Sequence, residues 1–327
     1  MEYLQLIGGL ALLIFSGNYL VESASDIARK FKLSSLVIGL TIVSFGTSAP
    51  ELLVSTSASL QGHPEIALGN VFGSNIVNVG FIMGLTSLLL PFTVSRDSIK
   101  IDVKVMLAFS LAALLFASDG HFSRIEGILL FATLVIYTIW LILKSKKTAN
   151  DSAIEAPKRN ILINSLILVA SLAGLAFGSD FMVEGASTIA KNFGISEKVI
   201  SVTVVAIGTS LPELTASLIS VFKKEVGMTI GNVIGSNTFN IGAVLGISSS
   251  ISPIKFDFSA FCSDIVWALA FGVLLLIGMI NVTKNMELMR SSGKISSLFS
   301  ADNGEIGRIW GFCCLAAYVT YTILLFI

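Results

Sequence analysis

Charge is scarce in this chain: 13% of its 327 residues are Asp, Glu, Lys or Arg, where an ordinary soluble domain carries about a quarter. A surface wetted on all sides is thereby excluded. Histidine is scarcer still. His63 and His121 are the only two, both fall in expected loops as ordinary surface residues, and a zinc or copper site lacks its nitrogen ligands. The three cysteines, Cys262, Cys313 and Cys314, are odd in number and sit in apolar segments, so they form no disulfide framework and read as small hydrophobes. The weak ten-residue alternation of an outer-membrane barrel is absent as well.

What the chain has instead is 54% hydrophobic residues and a mean hydropathy of +0.86. Its apolar runs recur from end to end, each near the ~20 residues a helix needs to cross a bilayer. The expected fold is an all-α integral membrane bundle of ten transmembrane helices, over 3–28, 35–60, 66–91, 101–118, 124–143, 161–190, 197–221, 227–251, 260–282 and 305–327. The first run lacks a basic leader and a small-residue cleavage site, so it is expected to stay as helix 1 and not to be removed as a signal peptide. Ten spans place 17 of the 21 Lys and Arg on one side, including Arg29, Lys30, Lys32, Lys144, Lys146, Lys147, Lys158 and Arg159, and 4 on the other. The positive-inside rule then sets both termini outside and makes 145–160 a cytoplasmic linker of a multi-pass plasma-membrane protein.

The chain also repeats itself. Shifted by 162 residues, positions 16–91 lie on 178–253 without a gap, and 30 of the 76 pairs are identical. "VESASDIARKF" meets "VEGASTIAKNF", "GTSAPEL" meets "GTSLPEL", and "GNVFGSNIVNVG" meets "GNVIGSNTFNIG". Each half, 1–144 and 161–327, is a five-helix unit. An odd number of spans forces the second unit to start from the opposite side, so the halves are inverted. Inverted repeats with interrupted helices meeting near the midplane are an architecture of secondary transporters.

The repeated motifs put helix breakers beside carboxylates. Gly46, Pro50, Gly208 and Pro212 fall near the centres of spans 2 and 7, where an internal proline removes one helical hydrogen bond and pushes aside a carbonyl. Such backbone is tolerated at membrane depth where protein buries it or where it lines a wet cavity. Glu51 and Glu213 are the two acidic residues placed deepest, and no Lys, Arg or His lies deep enough to pair with them. A bound cation is the simplest counter-charge, and two protonated carboxyls would also satisfy the electrostatics. Thr47 and Ser48 precede Glu51 on its helical face, as Thr209 and Ser210 precede Glu213. Ser74 with Asn78, and Ser236 with Asn240, add an oxygen pair from spans 3 and 8. Spans 2, 3, 7 and 8 are therefore expected to be broken around a midplane site of hard oxygen ligands, the kind Ca²⁺ prefers. Asn70, Asn75, Asn232 and Asn237 read as amides that bond across helix pairs, and Glu22 and Glu184 as solvated interfacial carboxylates. Asp26 pairs with Thr188 in the repeat and carries no comparable signal.

The duplicated "GTSAPE" with "GNVFGSNIVN" and "GTSLPE" with "GNVIGSNTFN" resembles the two signature repeats of the sodium/calcium exchanger family, within the calcium/cation antiporter superfamily, in its ten-helix prokaryotic layout. The resemblance implies a non-enzymatic antiporter without cofactors, carrying Ca²⁺ and Na⁺. It implies that Glu51 and Glu213 are shared by both ions, with Thr47, Ser48, Ser74, Asn78, Thr209, Ser210, Ser236 and Asn240 supplying further oxygens. Ser44 and Ala206 would offer carbonyls. It also implies that helices 1 and 6 slide past a fixed core. Asn240 is Asp in potassium-dependent relatives and in some archaeal exchangers, so the amide here argues against K⁺ co-transport. The expected partners are the two ions and the lipid bilayer, without nucleic acid, and the working unit is read as a monomer. The nearest alternative is a Ca²⁺/H⁺ antiporter using the same glutamates. A channel lacks a symmetric pore motif, and an intramembrane hydrolase at Ser48 or Ser210 lacks a base.

Overall fold

A computed structural model describes residues 1–93, 101–148, 159–194, 206–292 and 305–325. Most of the expected linker and the first part of span 7 lie outside the described residues. The helices follow the expected order. α1 is Glu2–Phe31, α2 has two arms, Ser35–Thr47 and Ala49–Leu60, and α3 is Pro64–Leu89. α4 is Val103–Phe116, α5 Arg124–Thr148 and α6 Ile161–Asn192. α7 is described as Ala206–Gly208 and Leu211–Phe222, and α8 runs through Val226–Phe239, Asn240–Leu245 and Gly246–Ile251. α9 is Phe258–Ser292 and α10 Arg308–Leu324. Among the described residues five helices are long and apolar enough to cross a membrane, and the bent α2 makes a sixth. Leu211–Phe222 and Arg308–Leu324 are shorter apolar helices.

The arms of α2 meet at 45°, at Ser48, whose backbone (φ −87°, ψ 8°) leaves the helical region. Ser210 takes the same conformation (φ −92°, ψ 6°) in α7. Pro50 and Pro212 each sit in the first turn of the following arm, where a missing N–H costs nothing. In α3 and α8 the interruption takes another form. Both run on as continuous helical backbone, and π-helical turns at Val77–Met83 and Asn240–Leu245 widen them where Asn78 and Asn240 sit. Such turns recur at functional sites because they re-aim side chains without ending the helix.

α1 and α6 lie antiparallel. A Cβ on Gly9 would come within 2.7 Å of Gly178 O, and one on Gly185 within 2.6 Å of Glu2 O, so the two backbones touch. These helices share an apolar cluster with α2 and α7, built from Leu13, Leu20, Val21, Val43, Leu168, Leu175 and Leu211. A second, larger cluster joins α3, α4, α5, α8, α9 and α10 around Phe72, Ile82, Met106, Phe109, Val244 and Phe271. Two short antiparallel ladders tie the loops: Phe92 pairs with Ile306, and Phe122 with Ile254. Each ladder joins one loop from the first half of the chain to one from the second, as the expected ten-span order requires of loops on one side. Cys314 is buried, Cys262 half-buried and Cys313 exposed, all as free thiols.

Candidate ion-binding site

The breaks in α2 and α7 face each other between α3 and α8. Glu51 and Glu213, each in the first turn of its second arm, are both 1% exposed. Ser48 Oγ crosses from one half to the other and donates to Glu213 Oε1 (3.0 Å). Among the described residues no basic side chain forms an ion pair with either glutamate.

A matched pair of amides holds the backbone of each carboxylate. Asn70 Nδ2 donates to Glu51 O (3.2 Å) and to Ser55 Oγ (2.9 Å). Asn232 Nδ2 donates to Glu213 O (3.2 Å) and to Ser217 Oγ (3.0 Å). The spacing between the two sets is that of the sequence repeat. Asn75 and Asn237 bond across the α3–α8 pair, as expected of amides in glycine-rich membrane helices. Ser55 and Ser217 carried a usable signal, since they are identical in the self-alignment and lie one turn beyond each glutamate.

The halves also differ. Thr47 Oγ1 donates to Asn232 Oδ1 (3.2 Å) and to Ser44 O (3.4 Å), and Ser48 N–H donates to Ser44 O (3.0 Å). The Ser44 carbonyl is therefore engaged by two donors of its own helix. In α7 the matching N–H, of Ser210, bonds to Ile207 O (3.1 Å), one residue later than the Ala206 position. Pro212 frees the carbonyl of Gly208 four residues before it, and Ser179 Oγ of α6 donates to that oxygen (2.5 Å). Ser179 left no trace in the repeat, because its mate in α1 is Gly17.

Seven buried oxygens at this place have no hydrogen-bond partner: both of Glu51, Oε2 of Glu213, Oδ1 of Asn78 and of Asn240, and the hydroxyls of Ser210 and Ser236. Buried polar atoms are normally bonded, so a concentration of acceptors beside two carboxylates calls for a positive partner. Ser74 is buried and Thr209 half-buried. No group of three or more His, Cys, Asp or Glu occurs among the described residues, and the oxygens gathered here come from carboxylates, amides and hydroxyls. This is the donor set of a hard-cation site.

The acidic residues set aside in the sequence lie elsewhere. Glu22 is half exposed and pairs with Lys223 (2.8 Å) and Arg159 (3.5 Å), and Glu184 is exposed. Asp26 is buried, held by Arg29 (2.9 Å) and by Asn164 Nδ2 (3.3 Å).

A helical membrane bundle with buried, facing carboxylates at two broken helices has the form of a cation transporter. The sodium/calcium exchanger protein family model matches residues 1–143 and 163–327. The chain belongs to that family, whose members are transporters and not enzymes. It is 36% identical over 284 residues to the inner membrane protein YrbG of Escherichia coli, covering 84% of this chain and 86% of that one. It is 32% identical over 339 residues to the sodium/calcium exchanger MaX1 of Methanosarcina acetivorans, with 91% and 96% covered. Among solved structures, the sodium-calcium exchanger NCX_Mj soaked with Na⁺ and Ca²⁺ aligns with a TM-score of 0.78 at 32% identity, over 98% of this chain and 96% of that one.

Proposed function

We propose that the protein exchanges Na⁺ for Ca²⁺ by alternating access, independently of K⁺, through one site shared by both ions at Glu51 and Glu213. The observation that carries this reading is the cluster of buried, partnerless oxygens around two carboxylates that form no ion pair among the described residues. Ca²⁺ takes six to eight oxygens, and the candidate shell is drawn from Glu51, Glu213, Asn78, Asn240, Thr47, Ser48, Ser74, Thr209, Ser210 and Ser236, with the Ala206 carbonyl; the Ser44 carbonyl, which accepts from Thr47 and Ser48, would join by giving up one of these donors. With amides at 78 and 240, the site holds two negative charges, which balance one Ca²⁺ or two Na⁺. The names of MaX1 and of the soaked NCX_Mj support this choice of ions.

Coupling follows from desolvation. An empty site leaves two carboxylates buried without counter-charge, at several kcal/mol each, so the bare carrier crosses reluctantly and exchange becomes obligatory. By the family resemblance the α1–α6 pair, whose two backbones touch and which packs on α2 and α7 through a shared apolar cluster, slides past the ion-holding core. In the plasma membrane, with both termini outside, the Na⁺ gradient drives Ca²⁺ out. Any net charge moved adds about 2.3 kcal/mol per 100 mV.

Ca²⁺ uptake into proteoliposomes loaded with Na⁺, beside K⁺-loaded and pH-gradient controls, tests this. Uptake that requires internal Na⁺ is expected. Uptake driven by the pH gradient alone would make the protein a Ca²⁺/H⁺ antiporter.

A further inference from the structure

Four asparagines form a chain of hydrogen bonds, Asn240–Asn75–Asn237–Asn78, where α3 meets α8. Asn75 Nδ2 donates to Asn237 O (3.3 Å) and Asn237 Nδ2 to Asn75 O (3.2 Å). Asn240 Nδ2 donates to Asn75 Oδ1 (3.0 Å), and Asn78 Nδ2 to Asn237 Oδ1 (2.9 Å). All four side chains are buried. The main-chain carbonyls at 75 and 237 can only accept, so they fix which end of the Asn237 and Asn75 amides faces them. The remaining end of each, an Oδ1, can only accept in turn, and it fixes the amides of Asn78 and Asn240. Flipping any one member sets two donors or two acceptors face to face. Each of Asn78 and Asn240 is left with one free atom, Oδ1, and both of these oxygens are among the partnerless acceptors beside the glutamates.

We propose that Asn75 and Asn237 are positioning residues of the ion site. Anchored on each other's backbone, each one turns the opposite half's amide, Asn240 or Asn78, so that its carbonyl oxygen and not its NH₂ faces the cation. This rests on the exchanger reading above. It makes an amide at 240 part of the design. A carboxylate there would set an acceptor against Asn75 Oδ1, and Asn75 could turn only by giving up its bond to Asn237 O. The chain of amides thereby ties the choice of amide at 240, and with it the site's charge, to a residue that touches no ion.

Double-mutant cycles on ⁴⁵Ca²⁺ binding to the purified full chain test the pairing. Asn75→Ala frees Asn240 to flip and lowers Ca²⁺ affinity about tenfold, in the range of coupling energies of buried contacting residues. In an Asn240→Ala background the same change costs less than about twofold, because the residue it acts through is gone. In an Asn78→Ala background it keeps its full effect. Asn237→Ala shows the mirror pattern, silent with Asn78→Ala and full with Asn240→Ala. A merely structural role would give equal losses in both backgrounds, and that result overturns the proposal. If Asn75→Ala does not fold, the Asn237 cycle decides alone. Failure of both to fold also overturns it, since the amides would then be structural. Wild-type protein that binds no ⁴⁵Ca²⁺ overturns the exchanger reading together with this one, whereas binding without the pairwise pattern overturns only this one.

Discussion

Asn70 and Asn232 occupy matching positions in the two halves, yet replacing them by alanine should not cost the same. Asn232 is 1% exposed and makes three hydrogen bonds, to Glu213 O, to Ser217 Oγ and from Thr47 Oγ1. Asn70 is half-buried and makes two, to Glu51 O and Ser55 Oγ. At about 1 kcal/mol net per bond, Asn232→Ala loses about 3 kcal/mol and Asn70→Ala about 2 before solvent is considered. Water reaching the half-buried site replaces part of the second loss, which leaves a gap of about 1–2 kcal/mol between the variants. The volume removed is the same in both, so the cavity contribution largely cancels. Thermal unfolding in one detergent, without Ca²⁺, reads the difference, and Asn232→Ala should melt lower. Equal midpoints, or a lower one for Asn70→Ala, would refute the hydrogen-bond account of how the glutamate backbones are held.

Other matched positions give contrasts of the same kind. A Cβ at Gly73 meets nothing within 4 Å, while one at Gly235 comes within 2.6 Å of Ser44 Oγ and 2.9 Å of Leu40 Cα. Gly73→Ala should therefore leave the melting temperature unchanged or raise it slightly, through up to about 1 kcal/mol of helix propensity, and Gly235→Ala should cost about 1–3 kcal/mol by overpacking against α2. Ser179→Ala strands the buried Gly208 carbonyl and should cost about 1–3 kcal/mol in the same assay, with Ser179→Thr restoring most of it. Glu22→Gln removes ion pairs to Lys223 and Arg159 whose carboxylate is 47% exposed, so it should cost about 0–1 kcal/mol and less at high salt.

Much of this was legible in the sequence, because composition and repetition act through the whole chain. Long apolar runs mark each helix, and the self-alignment exposes both proline breaks and both glutamates, since a costly intramembrane carboxylate stands out against an apolar background. Faces of single helices were readable too: Ser48, three residues before Glu51, does lie toward the site. What one sequence does not encode locally is which helix lies opposite. That Ser48 reaches Glu213 across the repeat, that Asn75 meets Asn240, and that Ser179 serves the carbonyl freed by Pro212 are contacts between distant segments. The form of the interruption in α3 and α8 was hidden for another reason. Glycine and asparagine permit a bend or a π-helical turn alike, so the motif does not say which one forms.

The exchanger proposed above has one site, held by Glu51 and Glu213, that Ca²⁺ and Na⁺ occupy in turn. Equilibrium ⁴⁵Ca²⁺ binding to purified wild-type, Glu51→Gln and Glu213→Gln protein, titrated with Na⁺ at constant ionic strength, tests it most directly. One Ca²⁺ per chain, full displacement by Na⁺, and loss of binding in both variants are expected. Ca²⁺ that stays bound at saturating Na⁺, or that binds either variant as it binds the wild type, would contradict it.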